Sequence, residues 1–333
     1  MSPSDSQQAI NMSPPSAKPT VSVVAPCFNE EGNLEALERR VMAACNESVG
    51  DDFEIILVDD GSRDRTWEMI CERAATNPHI RGISLSRNFG HQIALSAGLD
   101  ASAGDWIFVI DADLQDPPEL LGEMLTVARE GADVVYGKRR RRPGDSLPRR
   151  VSAAAFYRCL NWLSDVEIPT DAGDFRLMSR RVLDALKSMP EQHRYIRGMV
   201  SWVGFNQVPF LYDRDERTAG VTGYGLRRLI RFAIDAIVGF SDQPLRIASH
   251  LGLLITGLGT AGIVLLIYLW VFVEIEAPGW MSLMATLLFL GGLNLLFMGL
   301  IGEYVGRIFL QVKDRPLYVV AQRTDRGPDG DRP

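Results

Sequence analysis

Asp111 and Asp113 stand one residue apart at the end of an apolar run, Trp106 to Ile110. Two carboxylates at that spacing make a hard oxygen site. Mg²⁺ favours one or two carboxylates, several waters and phosphate oxygens from a substrate. A divalent ion holding a diphosphate is therefore the first chemistry to consider. Asp116 has a simpler reading. Pro117 suits the first helical position and Glu119 completes a capping-box pattern, so Asp116 is expected to cap the next helix. Asp111 and Asp113 precede that cap and need another role. A D-x-D pair alone is a weak signal, so the other strand ends have to agree with it.

The elements that would position these acids alternate regularly. Strands are expected at Val21 to Ala25, Phe53 to Val58, Ile80 to Leu85, Trp106 to Ile110 and Asp133 to Tyr136. Helices are expected at Leu34 to Cys45, Thr66 to Ala75, His91 to Ala101 and Pro117 to Glu130, with Asp64 or Ser62 capping the second. Strands separated by helices of this length read as βαβ units on a parallel sheet. Right-handed crossovers put the strand ends on one rim. That rim would carry Pro26, Asn29, Glu30, Asp59, Asp60, Asp111 and Asp113. Each alone suits a turn, but together they point to a shared site. Carboxylates such as Glu30 and Asp59 can accept from ribose hydroxyls and base N–H groups. Neither a G-x-G-x-x-G after the first strand nor a Walker loop is present, which disfavours a hydride cofactor and a P-loop.

Composition divides the 333 residues into unlike parts. Residues 1–19 are rich in Ser, Pro and Gln and read as a disordered tail, not a signal peptide. Residues 20–215 read as an α/β domain. The net charge of −7 makes nucleic acid an unpromising partner. Four scattered cysteines without a C-x-x-C pair argue against a zinc site or disulfide framework and fit a reducing compartment.

Four blocks then carry a resemblance: PCFNEEGN, VDDGSRDRT, SRNFGHQIALSAGLDAS and DADLQDPPE. In this order they resemble the family 2 glycosyltransferases of GT-A fold, more narrowly the polyprenyl-phosphate branch that includes dolichol-phosphate-mannose synthase-like enzymes. The likeness runs from about Val21 to Val320. It implies a Rossmann-like, mostly parallel catalytic domain, a nucleotide-sugar donor and Mg²⁺ or Mn²⁺. By motif, Pro26, Asn29, Glu30, Asp59, Asp60 and Ser62 would bind the nucleotide. Asp111, Asp113 and Gln115 match the metal and diphosphate motif. The family also implies a homo-oligomer.

The middle region is basic. Lys138 to Arg142 suit a solvated loop, a strip on anionic headgroups, or a clamp for an acceptor phosphate. The resemblance favours an acceptor-phosphate role for Arg149 or Arg150. Asp174 matches a family position proposed as base or acceptor orienter, with Arg176 beside it; a salt bridge between those two is the alternative. Arg194 and Arg197 suit either phosphate contact or surface pairing. Related sequences often read R-x-A-G-x-S-K-Y where this chain has RTAGVTGY, so Arg217 or another arginine would replace the missing lysine.

Residues 216–247 are expected to hold a basic amphipathic helix, with Arg227, Arg228 and Arg231 opposite an apolar stripe. Packing on the soluble domain would also explain the stripe. Leu251 to Val273 and Trp280 to Gly302 contain no charge, and each is about 23 residues, enough to cross a bilayer. Arg246, Arg307, Lys313 and Arg315 flank the spans, which places the catalytic domain, both termini and the 307–333 tail in the cytoplasm. Asn294 is expected to hydrogen-bond between helices or protomers.

The expected activity is sugar transfer, with inversion, from a nucleotide diphosphate to polyprenyl (undecaprenyl) phosphate at the inner face of a bacterial plasma membrane. UDP-glucose is the first choice; GDP-mannose or an amino-arabinose donor is the alternative. A processive polysaccharide synthase is disfavoured because no Q-x-x-R-W motif is present. A non-catalytic membrane scaffold would leave Asp111 and Asp113 without purpose.

Overall fold

The computed structural model describes residues 19–140, 172–213, 243–273 and 279–324. Strands and helices alternate through the first part: β1 (Val21–Cys27), α1 (Leu34–Val49), β2 (Phe53–Asp59), α2 (Thr66–Thr76), β3 (Ile80–Leu85), α3 (His91–Ala101) and β4 (Trp106–Val109). After a 3₁₀ turn at Pro118–Leu120 come α4 (Leu121–Arg129), β5 (Val134–Arg139), β6 (Ala172–Ser179), α5 (Arg180–Lys187), α6 (Ile196–Val203) and β7 (Gln207–Tyr212). The last elements are α7 (Gln243–Val273), α8 (Trp280–Val312) and β8 (Val320–Arg323).

All the strands join one sheet in the order β7-β5-β6-β4-β1-β2-β3-β8. β1 pairs in parallel with β2 and β4, β2 with β3, and β5 with β7. β6 is inserted antiparallel between β4 and β5, and β8 runs antiparallel along β3. The mostly parallel α/β sheet is thus as expected, with a two-directional section that the helix–strand alternation does not show.

β1 and β2 have no exposed face, because the sheet is covered on both sides. Their alternate side chains enter different cores. Val21, Val23, Phe53, Ile55 and Leu57 pack with α1, α2 and α4. Val24, Ile56 and Val58 pack with α3, α5 and α6. This two-sided burial holds the strand ends as a fixed rim.

Asp116 does not cap α4. It is fully buried and accepts a hydrogen bond from the Tyr212 hydroxyl on β7. Pro117 is extended, the helix begins only after the 3₁₀ turn, and Glu119 forms a two-pronged pair with Arg40 of α1 instead of closing a capping box.

The C-terminal helices have the opposite surface from the domain. Leu253 and Leu288 are 73% and 71% exposed. Among the described residues, the segment Thr286–Val312 is long and apolar enough to cross a membrane, with a mean hydropathy of 1.6. Residues 320–323, expected in a tail, instead add β8 to the sheet. The amphipathic stripe expected at 226–237 lies outside the described residues.

Candidate active site

The loops after β1, β2 and β3 are sewn together by short polar contacts. Asn29 has a left-handed backbone (φ 55°); its N–H donates to Ser62 Oγ at 3.0 Å, and its Oδ1 accepts from the Arg63 N–H at 2.9 Å. Asp59 accepts from the Ser62 N–H at 3.0 Å and from the Ser84 hydroxyl at 2.9 Å. Asp60 accepts from the N–H groups of Phe89 and Gly90 at 2.7 and 2.9 Å. Burial raises the Asp60 carboxyl above its ordinary value, and those two donors only partly offset it. Between these contacts sits Gly61 (φ 67°), where a Cβ would lie 2.6 Å from the Arg87 carbonyl carbon. Only glycine accommodates both the φ and that approach.

A cleft of about 440 Å³ opens beside this assembly. Pro26, Glu30 and Asp60 line one side, and His91, Asp111 and Asp113 the other. Asn29, Asp59 and Ser62 hold the loops and are not among the lining residues. Glu30 is fixed from two directions. Its N–H donates to Thr66 Oγ1 at 2.9 Å, and its carboxylate accepts from Asn33 at 2.7 Å.

The other wall follows from strand register. Val109 of β4 faces Arg176 of antiparallel β6. Carried two residues further, that register sets Asp174 opposite Asp111. α3 completes the wall: His91 Nε2 lies 3.4 Å from Asp111 Oδ1 and 3.2 Å from Asp174 Oδ2. Asp174 also receives Arg197 through Nε at 2.8 Å and Nη2 at 3.0 Å, and Gln92 Nε2 at 3.0 Å. The alternative reading of Asp174, a salt bridge to Arg176, is not the arrangement found. Arg176 instead donates to the backbone carbonyls of Asp174 and Gly173, at 3.2 and 3.0 Å. Burial pushes its guanidinium down to about 10.

These contacts divide the charges. Burial would raise Asp174, but Arg197 and His91 outweigh it and hold the carboxyl well below its usual range. Burial would lower His91, yet the hydrogen bond to Asp174 and the charges of Asp111 and Asp174 raise it above its ordinary value. Asp111 is left worst off. Burial, opposed by His91 and reinforced by Asp174, Asp116 and Asp113, pushes it up to about 6. Its Oδ1 accepts no hydrogen bond.

Such a carboxylate fits a divalent cation, because it is half-buried, anionic and short of donors at its buried Oδ1. The ligand-capable atoms of His91, Asp111 and Asp174 lie within 4.8 Å of one another. Asp113 lines the same cleft, and its Oδ1 accepts from the Gln115 N–H at 3.2 Å. Gln115 is buried with its Oε1 unbonded. Arg149, Arg150 and Arg217 lie outside the described residues.

Neither His91 nor Gln92 stands out by residue type in the sequence. Arg197 is visible there only as one of two arginines with open roles. All three become site residues once β6 is known to run antiparallel beside β4.

The glycosyl transferase family 2 model matches residues 22–187, and the GtrB C-terminal hairpin model matches residues 243–308. The glycosyltransferase YkcC of Bacillus subtilis is 44% identical over 299 residues, covering 90% of this chain and 92% of that protein. The SfII prophage-derived bactoprenol glucosyl transferase of Shigella flexneri is 37% identical over 312 residues, covering 92% and 99%. Glucosyl-3-phosphoglycerate synthase from Mycobacterium tuberculosis superposes with a TM-score of 0.44 at 22% identity, covering 67% of this chain and 81% of that one. The α/β sheet is GT-A-like, its rim gathers acids from three of the four motif blocks, and the sequence matches run through both the domain and the hairpin: this chain belongs to the family 2 glycosyl transferases and is a glycosyltransferase.

Proposed function

We propose that this enzyme transfers glucose from UDP-glucose to a polyprenyl phosphate at the cytoplasmic face of the membrane, with inversion. The observation that carries the reading is the Asp111 carboxylate, partly open to the cleft, with one buried oxygen, Oδ1, that accepts no hydrogen bond. The bactoprenol glucosyl transferases among its relatives supply the sugar and the lipid class.

Asp111 and Asp113 would hold Mg²⁺ or Mn²⁺, with His91 adjacent and Gln115 behind them. Bound there, the ion would neutralise charge that develops on a departing diphosphate. Pro26, Glu30 and Asp60 would form the nucleotide side, on loops fixed by Asn29, Asp59 and Ser62. In the transfer, an oxygen of the lipid phosphate bonds to the anomeric carbon as the bond to the nucleotide's β-phosphate oxygen breaks. The nucleoside diphosphate leaves with the electron pair. A strong base is unnecessary, because a phosphate monoester has its second pKa near 6 and is largely dianionic at neutral pH. Asp174 suits orientation better than proton transfer: its two oxygens are already engaged by Arg197, Gln92 and His91. Its main task would be to hold Arg197 at the acceptor side of the cleft, with Arg149, Arg150, Arg176 or Arg217 as further acceptor-phosphate groups.

The two long helices are read as a membrane hairpin. Their exposed leucines favour lipid over water. Arg246, Arg307, Lys313 and Arg315 would stay on the cytoplasmic side with the catalytic domain. A homo-oligomer would be compatible with that arrangement.

The test is transfer by the full chain in lipid, with undecaprenyl phosphate and radiolabelled UDP-glucose, GDP-mannose or an amino-arabinose donor. Glucolipid formation that stops on chelation and returns with Mg²⁺ or Mn²⁺ is expected, with opposite anomeric configurations in donor and product. Transfer from GDP-mannose alone would replace the donor. Transfer indifferent to chelation would remove the metal role, and no lipid product from any donor would overturn the reading.

A further inference from the structure

Gln92 links three elements at the acceptor wall; it lies within the third motif block, but that block assigns it no role and it does not line the cleft. It sits in the first turn of α3, next to His91. Its amide nitrogen donates to Asp174 Oδ2 at 3.0 Å, on β6. Its amide oxygen accepts at 2.9 Å from the N–H of Ile196, the first residue of α6. That N–H is one of the helix-start donors that no carbonyl inside the helix can satisfy. Arg197, the next residue, makes the two-pronged contact to the same Asp174.

One planar amide therefore fixes the carboxylate and the start of the helix whose arginine pairs with it. Resting on the transfer reaction above, we propose that Gln92 is a positioning residue: it locks Asp174 and the start of α6 to α3, and so holds Arg197 where the acceptor phosphate must align. Gln92 touches neither donor nor acceptor in this arrangement. It is absent from the cleft lining, whereas its neighbour His91 is part of it. The residue is suited to the task because an amide offers a donor and an acceptor without charge. A carboxylate at this place would keep the acceptor and lose the donor.

That difference supplies the experiment. Gln92→Met removes both contacts at similar volume. Gln92→Glu keeps the Ile196 contact and sets a carboxylate against Asp174. Both full-length variants, in lipid, are expected to lose about 10- to 100-fold in kcat, because small misplacements of aligned groups cost on that order. KM for the nucleotide sugar stays within about threefold, since the nucleotide wall is untouched, and this split is one that general loosening of the fold would not give. A kcat within twofold of wild type in both variants, or a donor KM rising as much as kcat falls, would overturn the assignment.

A second measurement does not need turnover. Amide hydrogen exchange at Ile196 is expected to accelerate in Gln92→Met and to stay near wild type in Gln92→Glu. Equal exchange in all three proteins would refute the tether. If wild type forms no glycolipid, the functional reading falls, while the exchange comparison still decides whether Gln92 fastens α6.

Discussion

The two walls of the cleft use the same residue type in opposite ways. On the side proposed for the nucleotide, Asp59 and Asp60 follow β2, and their oxygens receive backbone N–H groups and a serine hydroxyl. They join loops. On the other side, Asp111 and Asp174 face each other and are balanced, incompletely, by His91 and Arg197. They set the field. A carboxylate at a strand end is thus not a functional class: what donates to it decides whether it holds a wall in place or stays available to a ligand.

This contrast is breakable at several points. The largest effect belongs to Asp111→Asn. Removing a charge meant for a cation is expected to cut transfer by roughly 10³-fold, the size of several kcal/mol of lost charge stabilisation. The same change should raise the Tm of metal-free protein, because it removes a poorly solvated carboxylate. A loss of stability with activity retained would place Asp111 among the wall-building acids.

Next is Arg197→Met. It leaves Asp174 buried without its main partner, at a cost of about 2–4 kcal/mol in urea unfolding, together with most of the transfer rate. A neutral effect on both would show that His91 and Gln92 suffice for Asp174. Asp60→Asn should be milder: about 1–2 kcal/mol of stability from a weakened pair of backbone contacts, with donor KM changing more than kcat. If kcat fell far more than KM, Asp60 would belong with Asp111.

The smallest effect lies remote from the cleft and calibrates the others. Asp133 is held below its ordinary value, first by its hydrogen bond with Arg181 and then by the Asn206 N–H and Ser179. Its charged form therefore stabilises the fold above about pH 4, and that contribution fades as pH falls through the lowered folded-state value. The Tm gap between wild type and Asp133→Asn should close as pH drops from about 6 to 3, with transfer at pH 7 little changed. A gap independent of pH would deny the pairing any electrostatic share.

The regular half of the fold was legible in the sequence. The helix at His91–Ala101 and the strand at Ile80–Leu85 have the expected bounds, because their apolar patterns end at clear turn residues. The acid-bearing rim was legible for the same reason. β6 was not, because a strand inserted against the run of the sheet leaves no local mark: AGDFRLMS alternates too weakly to be told from a loop. The roles of His91 and Gln92, which stand in the third motif block, and of Arg197 went unread with it, since they depend on which strand lies beside β4. Asp116 misled for a related reason. Its capping pattern is genuine locally, but Tyr212, far along the chain, claims the side chain.

β8 carries one more implication. It leaves α8 and returns to the sheet, with Trp67 donating to Gln322 at 2.7 Å and the Gly82 N–H to Thr324 Oγ1 at the same distance. Gln311, near the foot of α8, accepts from the Gln192 N–H and donates to the Pro190 carbonyl, shortly before α6. The catalytic head is consequently moored by two lines instead of swinging from one. In the proposed membrane hairpin, a bilayer that thickens or thins around the helices would tug on the sheet's far margin and on the approach to Arg197 together, making lipid composition a mechanical input to the cleft.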